Sequence, residues 1–536
     1  MKYSLPFVAA IIGVVALLIG VVTSSAASPA TLTVNSTGDE FARDGVLTLR
    51  EAMELAGERD ALQLADLDDG ECAQVSGSTY GPPCSSSDTT GMSSADTIIF
   101  DPLVFPPEAP ATIALGSALP DLYSVGDTVD GSGAGVIVDG VTKTLRCFAV
   151  EVGWGHVIRG LQIYNCHTGI DIVGENGNRV TVEGNVISGN ITGMNISGAF
   201  NLIKGNLIGT DPTGSFAVPN SRGIYMSGYQ AIRNVIVGNV ISGNHGDGIG
   251  DCWDFEQVIQ GNLIGTDITG TRPIPNGGHG IHFLSCGGSR TIVGGVNAGE
   301  GNVIAFNGGD GVRQANSDAN PVTIRGNSIR SNGGKGIENL GGGNLELPPP
   351  VITAVAPPTG TACANCVIDV YSDDEDEGRV YEGSTSADGG GEWSFGGAVS
   401  GPNVTATATD AIGNTSEFSS PVFPVGIDIV PYSARNLVSG RHGLIPVTVL
   451  SSASFAARSE VDRTSLTFGR TGGEDSLSFC LPIGFDVNRD GFRDLTCFFR
   501  ATPAGFHCGD TEGFLRGRTV DGVPIGGRDS VRVVRC

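Results

Sequence analysis

Between Val157 and Asn339, short β-branched stretches alternate with polar residues, and the same phrase, Gly-Asn-x-Ile, keeps interrupting them. Six copies begin at Gly184, Gly205, Gly238, Gly261, Gly301 and Gly326, in steps of 21, 33, 23, 40 and 25 residues. A base period in the low twenties, lengthened by two insertions, marks a solenoid. No run here has helical spacing, so each coil is expected to be short strands joined by tight turns. Gly and Asn accept a left-handed backbone at corners, and Asn side chains at equal positions in successive coils can bond as a ladder. The Leu-x-x-Leu-x-Leu frame of leucine-rich repeats is absent. The pattern predicts an all-β, right-handed parallel β-helix of about seven or eight coils, roughly 35 to 40 Å long at about 4.8 Å per coil.

The flanks read differently. Thr31–Val34 alternates as a strand, and residues 47–56 have Leu49, Met53 and Ala56 on one helical face. A solenoid's open end exposes apolar interior and strand edges, so this helix is the expected N-terminal cap. Asp66 to Ser94 is polar and reads as an inserted loop. Gly209-Thr-Asp-Pro-Thr-Gly214 and Gly265-Thr-Asp-Ile-Thr-Gly270 are near-copies two coils apart, expected to project together from one face. Pro348-Pro349-Pro350 ends the solenoid. Short alternating strands then predict two small β-sandwich-like units. The expected division is an export signal at 1–27, the capped β-helix at 28–347, a sandwich at 348–424 and a β-rich module at 425–536.

Several segments resemble known families. Leu49-Arg50-Glu51-Ala52-Met53 resembles the CSLREAI motif that opens many secreted bacterial β-helix proteins of pectin-lyase-like fold; the family's Cys and Ser are Leu47 and Thr48 here. Residues 351 to 423 resemble the Ig-like modules that follow β-helices in bacterial surface proteins. The last unit is similar to a C-terminal module of secreted bacterial proteins.

Composition narrows the function. With 31 basic residues, a formal charge of -26 and no basic cluster, nucleic acid and anionic membranes are excluded as partners. Lys2, a 15-residue apolar run from Val8 to Val22 and small residues up to Ser28 read as a secretory signal cut near Ala26 or Ala27. Twelve cysteines in an exported chain are expected to pair, and spacing suggests Cys72–Cys84, Cys147–Cys166, Cys252–Cys286, Cys363–Cys366, Cys480–Cys497 and Cys508–Cys536.

Two sets of residues carry candidate chemistry. In the stretch Asp486 to Asp494, oxygen donors at loop positions 1, 3, 5 and 9 with Gly491 at the turn suit calcium. The loop resembles those of dockerin and FG-GAP repeats, so Asp486, Asn488, Asp490 and Asp494, with the Phe492 carbonyl, are the expected structural calcium ligands. The second set, Asp211, Asp251, then Gly278-His279-Gly280 and Arg325, resembles the catalytic order of polygalacturonase-like β-helices. However, His279 holds the same turn position as Arg222, Asp247, Asp310 and Lys335, which makes Gly-His-Gly one instance of the repeat. The paired Asp-Asp of that family is missing, and glycoside hydrolysis needs two carboxylates at fixed separation. Asp211 and Asp267 read as turn formers. His279 and His282 could form a His-x-x-His metal pair only if a bend brings them to one face, since strand residues three apart point oppositely. Trp154, Tyr164, Tyr225, Trp253 and Phe283 are scattered over successive coils and read first as core or edge packing, with stacking on sugars as the alternative.

The leading expectation is therefore a secreted or cell-surface β-helix protein that binds extracellular polysaccharide or cell-surface glycans without a catalytic set. The alternatives are a polysaccharide hydrolase or lyase using the loops near Asp211, Asp251 and His279, and a structural spacer.

Overall fold

In the computed structural model, described for residues 29–57, 67–76, 95–123, 125–151, 153–174, 178–252, 255–284, 290–315, 321–355, 357–373, 377–401, 403–433 and 435–534, the repeat winds into a parallel β-helix. The expected export signal and Trp253 lie outside those residues, as does most of the 66–94 loop. The described part of that loop forms a short helix, Asp69–Cys72, and a strand, Val75–Ser76, antiparallel to Thr31–Val34.

Each full coil adds one strand to each of three sheets, as in Thr181–Glu183, Val186–Ser188 and Thr192–Ile196. The first sheet has 11 strands, the second nine and the third eight. Nine strands make a rod about 38 Å long at the usual strand spacing. Early coils such as Thr128–Asp130 and Val136–Asp139 lack the Gly-Asn phrase yet pair in register with Val157–Arg159 and Gln162–Tyr164, which in turn pair with the first coil that has it. The interior is a continuous stack of Ile and Val; Ile187, Ile208, Ile241, Ile264 and Ile304 are fully buried. Each such side chain contributes roughly 1.5–3 kcal/mol relative to exposure.

The phrase itself becomes a polar spine. Asn185, Asn206, Asn239, Asn262, Asn302 and Asn327 form a buried amide ladder, each donating to the Oδ1 of the next at 2.8 to 3.0 Å. Gly184, Gly205, Gly238, Gly261 and Gly326 precede them at φ between 62° and 65°, where a side chain would be strained. A second ladder runs through Asn220, Asn244, Asn276, Asn307 and Asn332. Together they satisfy corner carbonyls and N–H groups that would otherwise be buried without partners.

Both ends are covered. The helix Leu49–Ala56 starts from a Thr48–Glu51 capping box and buries Leu49, Ala52, Met53 and Ala56 in the core. Its Arg50 pairs with Asp39 at 2.8 Å and reaches the carbonyls of Ser117 and Ala118. The other end is covered by the following unit, which forms two three-stranded sheets, one containing Val351–Val355 and the other Val367–Asp373. Ile324 N–H donates to Thr415 Oγ1, Asn339 donates to Thr415 O, and Phe418 packs on the β-helix core. Arg325 of the last coil grips Asp369 with two bonds of 2.8 and 2.6 Å. The last unit has its own apolar cluster around Phe468 and Phe499.

The disulfides Cys147–Cys166, Cys363–Cys366 and Cys480–Cys497 are as expected from spacing. Cys72, Cys252 and Cys508 are also disulfide-bonded; the partners expected for them, Cys84, Cys286 and Cys536, lie outside the described residues.

Candidate functional site

The third sheet carries two adjacent outward rows. Both follow from one bend in every coil. In the segment His279 to His282, a Cβ on Gly280 would strike Gly311 O and the side chains of Ile304 and Asn307, so Gly280 faces the interior. Ile281, the next residue, is fully buried as well. Two successive inward positions shift the alternation by one, and His279 and His282 emerge on the same face. Strict alternation had placed them apart; the bend corrects that expectation.

The first row is the variable turn position. Its side chains cap the next coil: Asp247 Oδ1 accepts the His279 N–H at 2.7 Å, His279 Nδ1 accepts the Asp310 N–H at 2.8 Å, and Asp310 Oδ1 accepts the Lys335 N–H at 2.8 Å. His279 is thus a member of the repeat's own series. The second row runs in register through Asp171, Asn195, Tyr225, Gly250, His282, Arg313 and Glu338. The Arg222 guanidinium lies 5.2 Å from the centre of the Tyr225 ring, and that ring leans over Gly250, which has no side chain to displace it. Arg313 bridges Asp310 and Glu338.

Where the rows meet, Asp247, His279 and His282 converge. One ligand-type atom from each lies within 4.8 Å of those of the other two. His282 Nδ1 is 3.0 Å from Asp247 Oδ2, the two rings are 4.7 Å apart, and His279 Nδ1 also lies 3.2 Å from Asp310 Oδ2. Burial pushes the Asp247 carboxyl up, but hydrogen bonds from His282 and the His279 N–H, together with the charge of both rings, leave it below its ordinary pKa. Burial pushes the His279 imidazole down, and repulsion from His282 adds to this against the attraction of Asp247 and Asp310. At neutral pH the trio is a carboxylate beside a neutral His279 imidazole.

The sequence-derived catalytic candidates do not share a face. Asp211 sits in its inserted turn, where burial works against ionisation but bonds from Thr213, Phe216 and Ser215 hold its carboxyl below the ordinary range. Asp267 repeats that arrangement with Thr269, Thr271 and Arg272. The two turns touch directly, Ile268 N–H donating to Gly214 O at 2.9 Å, so they do project as a pair. Asp251 is buried on the inward side of the third sheet, in register with Met226 and Phe283. His279 alone of the three reaches the outward face. Arg325 is occupied by Asp369 at the domain junction.

In the last unit, Asp486 accepts the N–H groups of Asp490 and Gly491, and Asn488 donates to Asp490. Asp494 is fully buried and receives the N–H groups of Ser451 and Val487, one on each oxygen. The side chains of Asp486, Asn488 and Asp490 all bear oxygen, Asp486 half-buried and the other two exposed, which fits a hard cation; Asp494 already serves as a backbone anchor.

No protein-family model matches the chain, and no curated protein matches it. Among solved structures it is similar to a mutant of the periplasmic alginate epimerase AlgG (17% identity, 45% of this chain and 55% of that one, TM-score 0.24). Others are alginate lyase from Paenibacillus sp. (18% identity, 46% and 90%, TM-score 0.22) and the enzymatically active domain of bacteriophage CBA120 tailspike protein 2 (10% identity, 76% and 79%, TM-score 0.21). The chain thus spans about half the length of the epimerase, and at these identities and scores no activity or substrate passes to it.

Proposed function

We propose that this is an exported protein that binds extracellular polysaccharide along the outward face of the third sheet, and that it does so without cleaving it. The observation that carries the reading is the in-register row Asn195, Tyr225, Gly250 and His282. It offers hydrogen-bonding side chains at Asn195, Tyr225 and His282, and at Gly250 a one-strand gap over which the Tyr225 ring leans, with Arg222 beside it. A flat strip of this kind suits a long, hydroxylated chain better than a small molecule, which favours an enclosed pocket. Disulfide bonding throughout the described units supports an oxidising, extracellular setting, as does the CSLREAI-like cap. We also propose that the Asp486 to Asp494 loop holds a structural calcium ion, with Asp486, Asn488, Asp490 and the Phe492 carbonyl as ligands and the buried Asp494 fixing the loop's shape through its backbone bonds.

Affinity electrophoresis in gels containing individual polysaccharides tests the binding. Retardation by at least one polysaccharide, reduced in Tyr225→Ala, supports it. Assay of the same mixtures for new reducing ends or unsaturated products separates binding from hydrolase or lyase activity. Absence of both retardation and products across the panel would leave the spacer reading.

A further inference from the structure

We infer that Asp247, His279 and His282 form a binding site for a divalent transition-metal ion of borderline softness, such as Zn²⁺ or Cu²⁺, on the outward face of the β-helix. The site stands independently of polysaccharide binding.

The first ground is convergence. Asp247 comes from one coil and both histidines from the next, and one ligand-type atom from each lies within 4.8 Å of the others. His282 Nδ1 approaches Asp247 Oδ2 to 3.0 Å, and the rings of His279 and His282 are 4.7 Å apart at 64°. Two imidazoles and one carboxylate select zinc, copper, nickel or cobalt over calcium and magnesium, which take all-oxygen sets.

The second ground is preorganisation. The backbone orients the carboxylate, because Asp247 Oδ1 accepts the His279 N–H at 2.7 Å, leaving Oδ2 on the side of His282. Behind His279, Asp310 presents both a backbone N–H at 2.8 Å and a carboxylate oxygen at 3.2 Å to Nδ1. Ligation through Nε2 would require the ring proton to sit on Nδ1, so that Nδ1 gives up the Asp310 N–H it now accepts and donates instead to the Asp310 carboxylate. A carboxylate behind a ligating histidine is a common support of metal sites.

The third ground is access. The side chains of Asp247, His279 and His282 are 28, 18 and 17% exposed, so an ion can enter and three protein ligands leave positions open to water or an exogenous oxygen ligand. The repeat alone does not require this set. The same turn position is Arg in one coil and Lys in another, and the strand position opposite is Tyr, Gly, Arg or Glu.

The test uses the untagged mature chain, metal-stripped and dialysed against Cu²⁺, with continuous-wave electron paramagnetic resonance and metal analysis. The expected result is about one tightly held copper per chain with nitrogen hyperfine structure from two imidazoles, and Zn²⁺ competing for it while Ca²⁺ does not. His282→Gln should lose at least tenfold in affinity and simplify the nitrogen pattern; Asp247→Asn should weaken binding with the two-nitrogen pattern retained. Circular dichroism of both variants must match the parent, which separates loss of ligand from loss of fold. His442→Gln, in the last unit, should bind as the parent does. Copper held without two-nitrogen coupling, or held equally by folded His282→Gln, would overturn the assignment.

Discussion

His282 Nδ1 lies 3.0 Å from Asp247 Oδ2, although the two residues are 35 apart in sequence and belong to successive coils. The contact exists because Gly280 and Ile281 both turn inward and bring His279 and His282 to one face. The outward surface of the third sheet is therefore built by a repeated bend, and its chemistry is set by whichever residues occupy two positions per coil.

Acidification should act on this cluster. His279 has a pKa lowered from 6.5 by burial and by repulsion from His282 and Arg313, against Asp247 and Asp310. Between its folded and unfolded pKa values the unfolded chain binds more protons. The stability held in the neutral ring is complete above about pH 6.5 and is lost as pH falls through the lower folded value. Melting curves from about pH 8 to about pH 5 should show a larger decrease for the parent than for His279→Gln. Equal decreases would remove His279 as the source.

The domain junction should be sensitive to one side chain. Asp369 is 1% exposed and held by both arms of Arg325. Arg325→Ala leaves that carboxylate buried without its cation and should cost about 3–5 kcal/mol, whereas Arg325→Met with Asp369→Leu should cost much less. Urea unfolding and limited proteolysis near Leu347 are the readouts. Similar losses in the single and double variants would contradict this.

Asn262→Ala should be among the most destabilising polar substitutions in the chain. Asn262 donates to Ile236 O and Asn302 Oδ1 and accepts from the backbone and side chain of Asn239, all within the buried ladder. Its loss leaves several buried groups unmet, at about 1–3 kcal/mol each before relaxation. Asn185, near the start of the ladder, donates likewise to Ile158 O and Asn206 Oδ1 but, among the described residues, accepts from Leu161 N–H alone, and should be more tolerant. Urea midpoints for the two Ala variants compare them directly.

That ladder was legible in the sequence because its Asn recurs in a fixed phrase beside a Gly that must take positive φ. The second ladder was missed, though it left a signal: its members follow the first by five residues at Asn244, Asn307 and Asn332, but by 14 at Asn220 and Asn276. The difference of nine residues is the inserted turn of Asp211 and of Asp267. The paired projection of those turns and three disulfides followed from spacing. The metal-type trio did not, because Asp247 and the histidines meet only through coil-to-coil register, and a strand's two-residue period gave the wrong face for His282. The signal for the bend was Gly280, whose missing Cβ is required by interior packing.

Calcium should raise the melting temperature of the full chain if the Asp486 loop holds the ion, since a ligand bound only to the folded state stabilises it. Asp490→Ala should abolish that rise while leaving copper binding at His282 intact. No change on adding calcium to chelator-treated protein would dismiss the loop as a calcium site.

The most direct test of the central claim is affinity electrophoresis of the parent chain and Tyr225→Ala against a panel of extracellular polysaccharides. Binding along the third sheet predicts retardation of the parent by at least one polymer, without product formation, and about tenfold weaker retardation of Tyr225→Ala, the loss typical of an aromatic anchor. Retardation that is unchanged in Tyr225→Ala, or none with any polymer, would contradict it.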